Sequence, residues 1–296
     1  MSTMKRIVAG TDLSWYARRA ETRAAMLARE IGSESLDLLH VIGNLALESL
    51  RHLVTQTPQE TEQRLLDSAR KKMNEAARNL AEKHGIPVHN TLVIGRAHVD
   101  IVRHAESIDA GMVVLGAHGG NFVRELFLGS TAEKVLRKHA RPVLIVKREP
   151  QGPYQRVLVP VDFSEASRLA MELALRIAPH AYITVLHAFE VPFEGKMRYA
   201  GVSDEIIQPY RATAREQANQ AMRQFVSAAG ASAGMVSPIL EFGYAPTIIR
   251  EKADALESDL IVMGKHGQSG WEDMLLGSVT KHVILDAGCD VLVVSA

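Results

Sequence analysis

The feature that most restricts how this chain can fold is a motif it carries twice. Gly116-Ala117-His118-Gly119 is followed by nine residues and then Gly129-Ser130. Gly264-Lys265-His266-Gly267 is likewise followed by nine residues and then Gly277-Ser278. The copies stand 148 positions apart, as do Gly95 and Gly243. Asp12 and Ser14 recur 150 positions on as Asp162 and Ser164, and His40 recurs 147 on as His187. Small loop insertions and deletions explain the drift. At 296 residues, such an offset means two copies of one domain. We place them at 1–148 and 155–296, joined by a Pro- and Gly-bearing linker at 149–154.

Each copy alternates short aliphatic runs with amphipathic segments. In the first, residues 7–9, 36–41, 91–94, 112–115 and 143–146 read as strands. Between the first two, Ser14 can cap a helix whose apolar face is Ala17, Ala20, Ala24, Leu27 and Ile31. After a long connection ending near Pro58, Leu65, Leu66, Ala69, Met73, Ala76 and Leu80 mark another helix, with Gly85 at its end. Helices over 99–107 and from Ser130 follow. The second copy repeats this order with strands at 157–161, 183–187, 239–242, 260–263 and 291–294. Unbroken aliphatic strands between amphipathic helices predict an α/β fold. Each half is then a doubly wound parallel sheet covered on both faces. Ligands of such sheets bind beyond the carboxyl ends of the strands, at a switch point.

Both glycine motifs sit at such an end, between a strand and a helix start. Glycine lets the backbone approach a ligand closely. The free N–H groups and positive dipole end of the helix favour an anion. Each motif therefore reads as a phosphate cradle. A net charge of zero argues against a nucleic-acid partner. With 47% apolar and 23% charged residues, the composition is that of a globular protein. The single cysteine, Cys289, excludes an intrachain disulfide and fits a reducing compartment. The run before Gly10 is too short for a signal-peptide core, and no stretch has the length of a membrane helix. The expectation is a cytoplasmic protein.

The spacing of glycine, two residues, glycine, nine residues, glycine and serine resembles the signature of the universal stress protein family, in its ATP-binding branch. So do Val161-Asp162-Phe163-Ser164 and the Leu-His pairs Leu39-His40 and Leu186-His187. The resemblance covers nearly the whole chain as a tandem pair. It implies ATP or another adenine nucleotide in each half, with any Mg²⁺ riding on the phosphates. Asp12 and Asp162, beside Thr11, Pro160 and Val161, would lie near ribose or adenine. Val41 and Ala188 would offer backbone groups to the adenine edge. Leu115, Gly116 and Gly119, with Met263, Gly264 and Gly267, would line ribose and phosphates. Gly129, Ser130 and Thr131, with Gly277, Ser278 and Val279, would hold the phosphate tail. The first half departs from the pattern where Gly10-Thr11-Asp12-Leu13 replaces the proline-containing form seen at Pro160. The resemblance further implies that the final strands pair, here between halves as an internal pseudo-dimer, with association of two tandem chains as a further step.

Other readings stay open at these positions. Ser130 and Glu133 have the spacing of a capping box, which needs no ligand. Lys281 stands where the first half has Glu133, which makes the second site the better anion binder. Asp12 and Asp162 could cap the following helices. His118 and His266 are either solvated loop residues or phosphate-facing donors. His40 and His187 read as packed, hydrogen-bonded histidines, and Trp271 as a hydrophobic anchor rather than a base-stacking platform. The sequence contains no G-x-x-x-x-G-K-[ST] and no H-E-x-x-H. The leading function is a nucleotide-binding stress-response regulator. Its alternatives are a slow ATPase or nucleotidyl-transfer enzyme and an assembly scaffold without nucleotide. The unequal connections 43–58 and 190–203 are candidate lids or partner sites, for a protein partner the sequence leaves unidentified.

Overall fold

A computed structural model describes residues 4–53, 58–119, 128–230, 235–267 and 276–295. The chain forms two compact units, Met1–Pro153 and Tyr154–Ala296.

In the first unit, β1 (Arg6–Thr11), α1 (Trp15–Glu30), β2 (Ser35–Gly43), α2 (Asn44–Leu53), α3 (Pro58–His84) and β3 (Val88–Gly95) come first. They are followed by α4 (Ala97–Ser107), β4 (Met112–Gly116), α5 (Ser130–Lys138) and β5 (Val143–Val146). The strands are parallel, in the order β3-β2-β1-β4-β5. Their residues are aliphatic on both faces because helices cover both: Ile7, Val8, Ala9, Val113, Val114, Leu144 and Ile145 are fully buried. From α1, Ala20, Ala24, Ala25, Leu27 and Ala28 are buried in turn. Small residues let that helix lie close to the sheet.

The second unit repeats the plan. It contains β6 (Arg156–Pro160), α6 (Glu165–Ile177), β7 (Tyr182–Phe189), α7 (Glu194–Tyr199), α8 (Asp204–Ala228) and β8 (Val236–Phe242). These lead to α9 (Ala245–Ala255), β9 (Leu260–Gly264), α10 (Ser278–Asp286) and β10 (Asp290–Val294). The order is β8-β7-β6-β9-β10, again parallel. In each unit the chain leaves the first strand in one direction across the sheet and later returns to its other side. The resulting switch point lies between β1 and β4, and between β6 and β9.

Two connections expected as loops contain helices. Part of 43–58 is α2, whose buried Leu47 packs with Ile42 and Ala69, joined by Leu13, Leu66 and Leu92. Part of 190–203 is the six-residue α7, which has no buried residue. The strand expected at 157–161 ends at Pro160, one residue earlier. β8 begins ahead of the expected 239, running through Pro238, which is tolerated because β8 is the outer strand of its unit.

Candidate functional site

The turn from the first strand into the first helix is built alike in both units. Ser14 and Ser164 cap α1 and α6 by accepting the N–H of Ala17 and of Ser167. Ahead of each cap, the Oδ1 of Asp12 or Asp162 accepts the N–H of Ser14 or Ser164 at 3.0 and 3.1 Å. Leu13 and Phe163 between them have φ of 62° and 66°. That left-handed conformation strains a bulky side chain, so packing must compensate. It does so differently: Leu13 joins the apolar cluster under α2, whereas the Phe163 ring lies 4.3 Å from that of His187 and 5.9 Å from that of Phe225. His40 and His187, at the carboxyl ends of β2 and β7, each place Nδ1 2.7 Å from the carbonyl of Thr11 or Val161. A carbonyl only accepts, so the proton sits on Nδ1. These histidines clamp the end of the neighbouring strand, as expected of packed residues.

Opposite that turn lies the glycine loop. Its two ends are held together by Gly129 N–H donating to the Ala117 carbonyl (2.8 Å) and Gly277 N–H to the Lys265 carbonyl (3.0 Å). The second glycine of each motif faces the aspartate across the cavity mouth. A β-carbon on Gly119 would come within 2.7 Å of Asp12 Oδ2, and one on Gly267 within 2.7 Å of Asp162 Oδ2. A side chain there would have to push that carboxylate aside.

α5 and α10 start at the same loops. Their N-caps are Gly129 and Gly277, with no side-chain cap hydrogen bond. The capping-box reading of Ser130 is thereby overturned. Ser130 is already the first helical residue, and Glu133 reaches forward to Arg137 (2.7 Å) instead of back to the cap. The first intrahelical bonds are Glu133 to Gly129 and Lys281 to Gly277. Among the described residues, the N–H groups of Ser130, Thr131 and Ala132, and of Ser278, Val279 and Thr280, therefore have no hydrogen-bond acceptor.

Each switch point encloses one cavity. The first, ≈ 280 Å³, is walled by Gly10 and Thr11 from β1, by Asp12 just after it, and by Leu39 and Val41 from β2. Leu115, Gly116, His118, Gly119, Gly129, Ser130 and Thr131 complete it on the loop side. The second, ≈ 200 Å³, is walled by Pro160, Val161 and Asp162, by Leu186 and Ala188, and by Met263, Gly264, His266, Gly267, Gly277, Ser278 and Val279. Every residue assigned to nucleotide from the sequence borders a cavity of its own half, whereas His40, His187, Glu133 and Lys281 do not, and Trp271 lies outside the described residues.

The universal stress protein family matches residues 3–147 and again residues 153–295. The chain belongs to that family. Universal stress protein MJ0577 of Methanocaldococcus jannaschii is 32% identical over 162 residues, covering 50% of this chain and 99% of its own. A universal stress protein of Mycolicibacterium smegmatis is 26% identical over 311 residues, covering 97% of this chain and 96% of its own. The crystal structure of a universal stress protein from Archaeoglobus fulgidus superposes with a TM-score of 0.68, covering 99% of both chains at 22% identity. This is the tandem universal stress protein fold, two domains in one chain.

Within this fold the cavities have a wall that the motif gives no sign of. It comes from the helix after the third strand: Ala97 and Ile101 in one half, Ala245 and Ile249 in the other. The same 148-residue offset relates the pairs and was the signal available to find them. The halves also differ behind the shared frame. Ser167 donates to Asp162 Oδ1 at 2.6 Å and accepts the Asp162 N–H at 3.1 Å, fixing that carboxylate; the matching residue of α1 is Ala17. Thr280 ties α10 to the carbonyls of Gly264 and Lys265, where α5 has Ala132. In the first half, Thr11 Oγ1 bonds the buried Glu21 at 2.5 Å. Burial pushes the Glu21 carboxyl up, the Thr11 bond and Arg18 pull it down, and Asp12 adds to the rise.

Proposed function

We propose that this universal stress protein is an adenine-nucleotide-binding regulator that holds one ATP in each half. The observation that carries the reading is the pair of helix starts. In each half three N–H groups without an acceptor among the described residues, and a serine not engaged in capping, border the cavity across from an aspartate. Such a start is suited to a phosphate tail, its dipole and N–H groups acting together. Asp12 and Asp162 face it from the far side, where ribose hydroxyls would find an acceptor. The backbone of Val41 and Ala188 would meet the adenine edge, and Leu39, Ile101, Leu186 and Ile249 supply apolar walls for the base. Mg²⁺ would enter with the phosphates.

A regulatory role is favoured over turnover by the cavity linings. Phosphoryl transfer needs a positioned base and cationic stabilisation of the transferring group. Among the described residues neither lining includes a lysine or arginine. Nucleotide binding would instead change what each half presents to a protein partner. The wholly apolar final strands, Val143–Val146 and Asp290–Val294 beyond its first residue, support pairing of the two halves as an internal pseudo-dimer. Fragments that stay together after cleavage at 149–154 would bear that out; freely separating monomeric halves would refute it. Mass spectrometry of small molecules released from the purified protein tests the site reading, which expects adenine nucleotide.

A further inference from the structure

The buried pair behind the first cavity has no counterpart in the second. The hydroxyl oxygen of Thr11 accepts the N–H of Leu13 at 2.9 Å, so its single proton is directed at Glu21 Oε1, 2.5 Å away. Thr11 borders the cavity, and Glu21, 4% exposed, lies one hydroxyl behind it. The corresponding positions 150 residues on are Val161 and Met171, both buried: an acid and its hydroxyl partner have been exchanged for two apolar side chains. Burying a carboxylate is costly unless it is hydrogen-bonded or takes up a proton. Among the described residues the groups that face it are Thr11 and Asp12 from the end of β1 and the turn after it, and Arg18 on its own helix. One cation therefore opposes one anion, and neither is buried with it.

Resting on the nucleotide sites proposed above, we infer that the first site alone is proton-linked. Glu21 takes up a proton from solvent when a polyanion enters its cavity, so the first half binds nucleotide more tightly as pH falls. The geometry allows it at little structural cost. A neutral Glu21 still offers its carbonyl oxygen to Thr11, so the cavity wall survives protonation. Burial and the charge of Asp12 already disfavour the charged form, and a phosphate tail held in the same cavity, across from Asp12, adds further negative charge. Binding and protonation are coupled reciprocally: whatever raises proton affinity when nucleotide binds raises nucleotide affinity when the proton binds.

The test uses the full chain, with Gly267→Val to close the second site or Gly119→Val to close the first. ATP binding is followed by calorimetry from about pH 5 to about pH 8, in buffers of different ionisation enthalpy. The nucleotide's own phosphate titrates near pH 6, and the second site, which lacks an acid here, reports that background. The expected result is net proton uptake at the first site above that background, with an affinity gain of about tenfold for each pH unit of coupling. Glu21→Gln, permanently neutral and of the same shape, should hold the first site in its tight state and remove the excess pH dependence. The double variant Val161→Thr/Met171→Glu should introduce it in the second site. Equal pH dependence at both sites, or a first-site dependence unchanged by Glu21→Gln, overturns the inference while leaving the nucleotide sites standing. Failure of ATP to bind either site at any pH overturns both.

Discussion

The two halves of this chain share a skeleton and differ in what fills it. Kept in register are the left-handed residue after each aspartate, the serine cap, the histidine clamp on the first strand and the three glycines of the loop. All of these set backbone position. The side chains just behind the cavity have changed: Thr11 and Glu21 against Val161 and Met171, Ala17 against Ser167, Ala132 against Thr280, Glu133 against Lys281. Duplication has preserved the means of holding amides and an aspartate around a cavity, while the tuning of charge has diverged. A pair of identical receptors would not need such differences.

The comparison can be broken most severely at the shared element. Gly119→Val and Gly267→Val each place a side chain where the facing carboxylate stands and fill the cavity mouth, which should lower nucleotide affinity by roughly a hundredfold at the altered half alone. Equilibrium binding of a fluorescent ATP analogue to the two variants checks this; loss at both halves from one substitution would contradict independent cavities.

The next effect sharpens the difference. Ser167→Ala removes the hydroxyl that fixes Asp162, and a hydrogen bond to a charged group contributes about 1.5–3 kcal/mol. Second-site affinity should fall about tenfold, while Ala17→Ser should strengthen the first site, both read by the same titration.

Glu21 predicts a pH effect on stability without nucleotide. Its folded carboxyl titrates above the ordinary value of 4.5, so its contribution is fully present below pH 4.5 and is lost as pH rises through the higher folded value. Glu21→Gln should therefore melt with the wild type in acid and above it at neutral pH, measured by thermal unfolding at each pH.

Smallest is the exchange of Glu133 and Lys281 in the first turns of α5 and α10. Lys281→Glu should weaken the second site, and Glu133→Lys strengthen the first, by about threefold at low salt. Added salt should erase the difference, since these are solvent-facing charges.

Much of this arrangement was legible in the sequence because it is written in periodicity and spacing. Strands that are aliphatic throughout show directly as buried, and the glycine spacing marks the loop that the strand order then places at the switch point. What stayed hidden depends on three dimensions. Nothing local in Ala97 or Ile101 shows that α4 closes the cavity, because the residues are ordinary helix-face ones until the crossover folds over the sheet. α7 is six residues long, includes Gly195 and buries nothing, so it carries no apolar period. α2 was obscured because its few leucines directly follow the strand's own apolar run. The Ser130–Glu133 spacing misled, since a capping box requires the serine one residue ahead of the helix, and here a glycine holds that place.

The central claim is that each half holds one adenine nucleotide against its own helix start. Counting nucleotides bound per chain at saturating ATP, for the wild type and the two glycine variants, tests it most directly. The account predicts two for the wild type and one for each variant. No bound nucleotide, or a stoichiometry that neither glycine substitution changes, would contradict it.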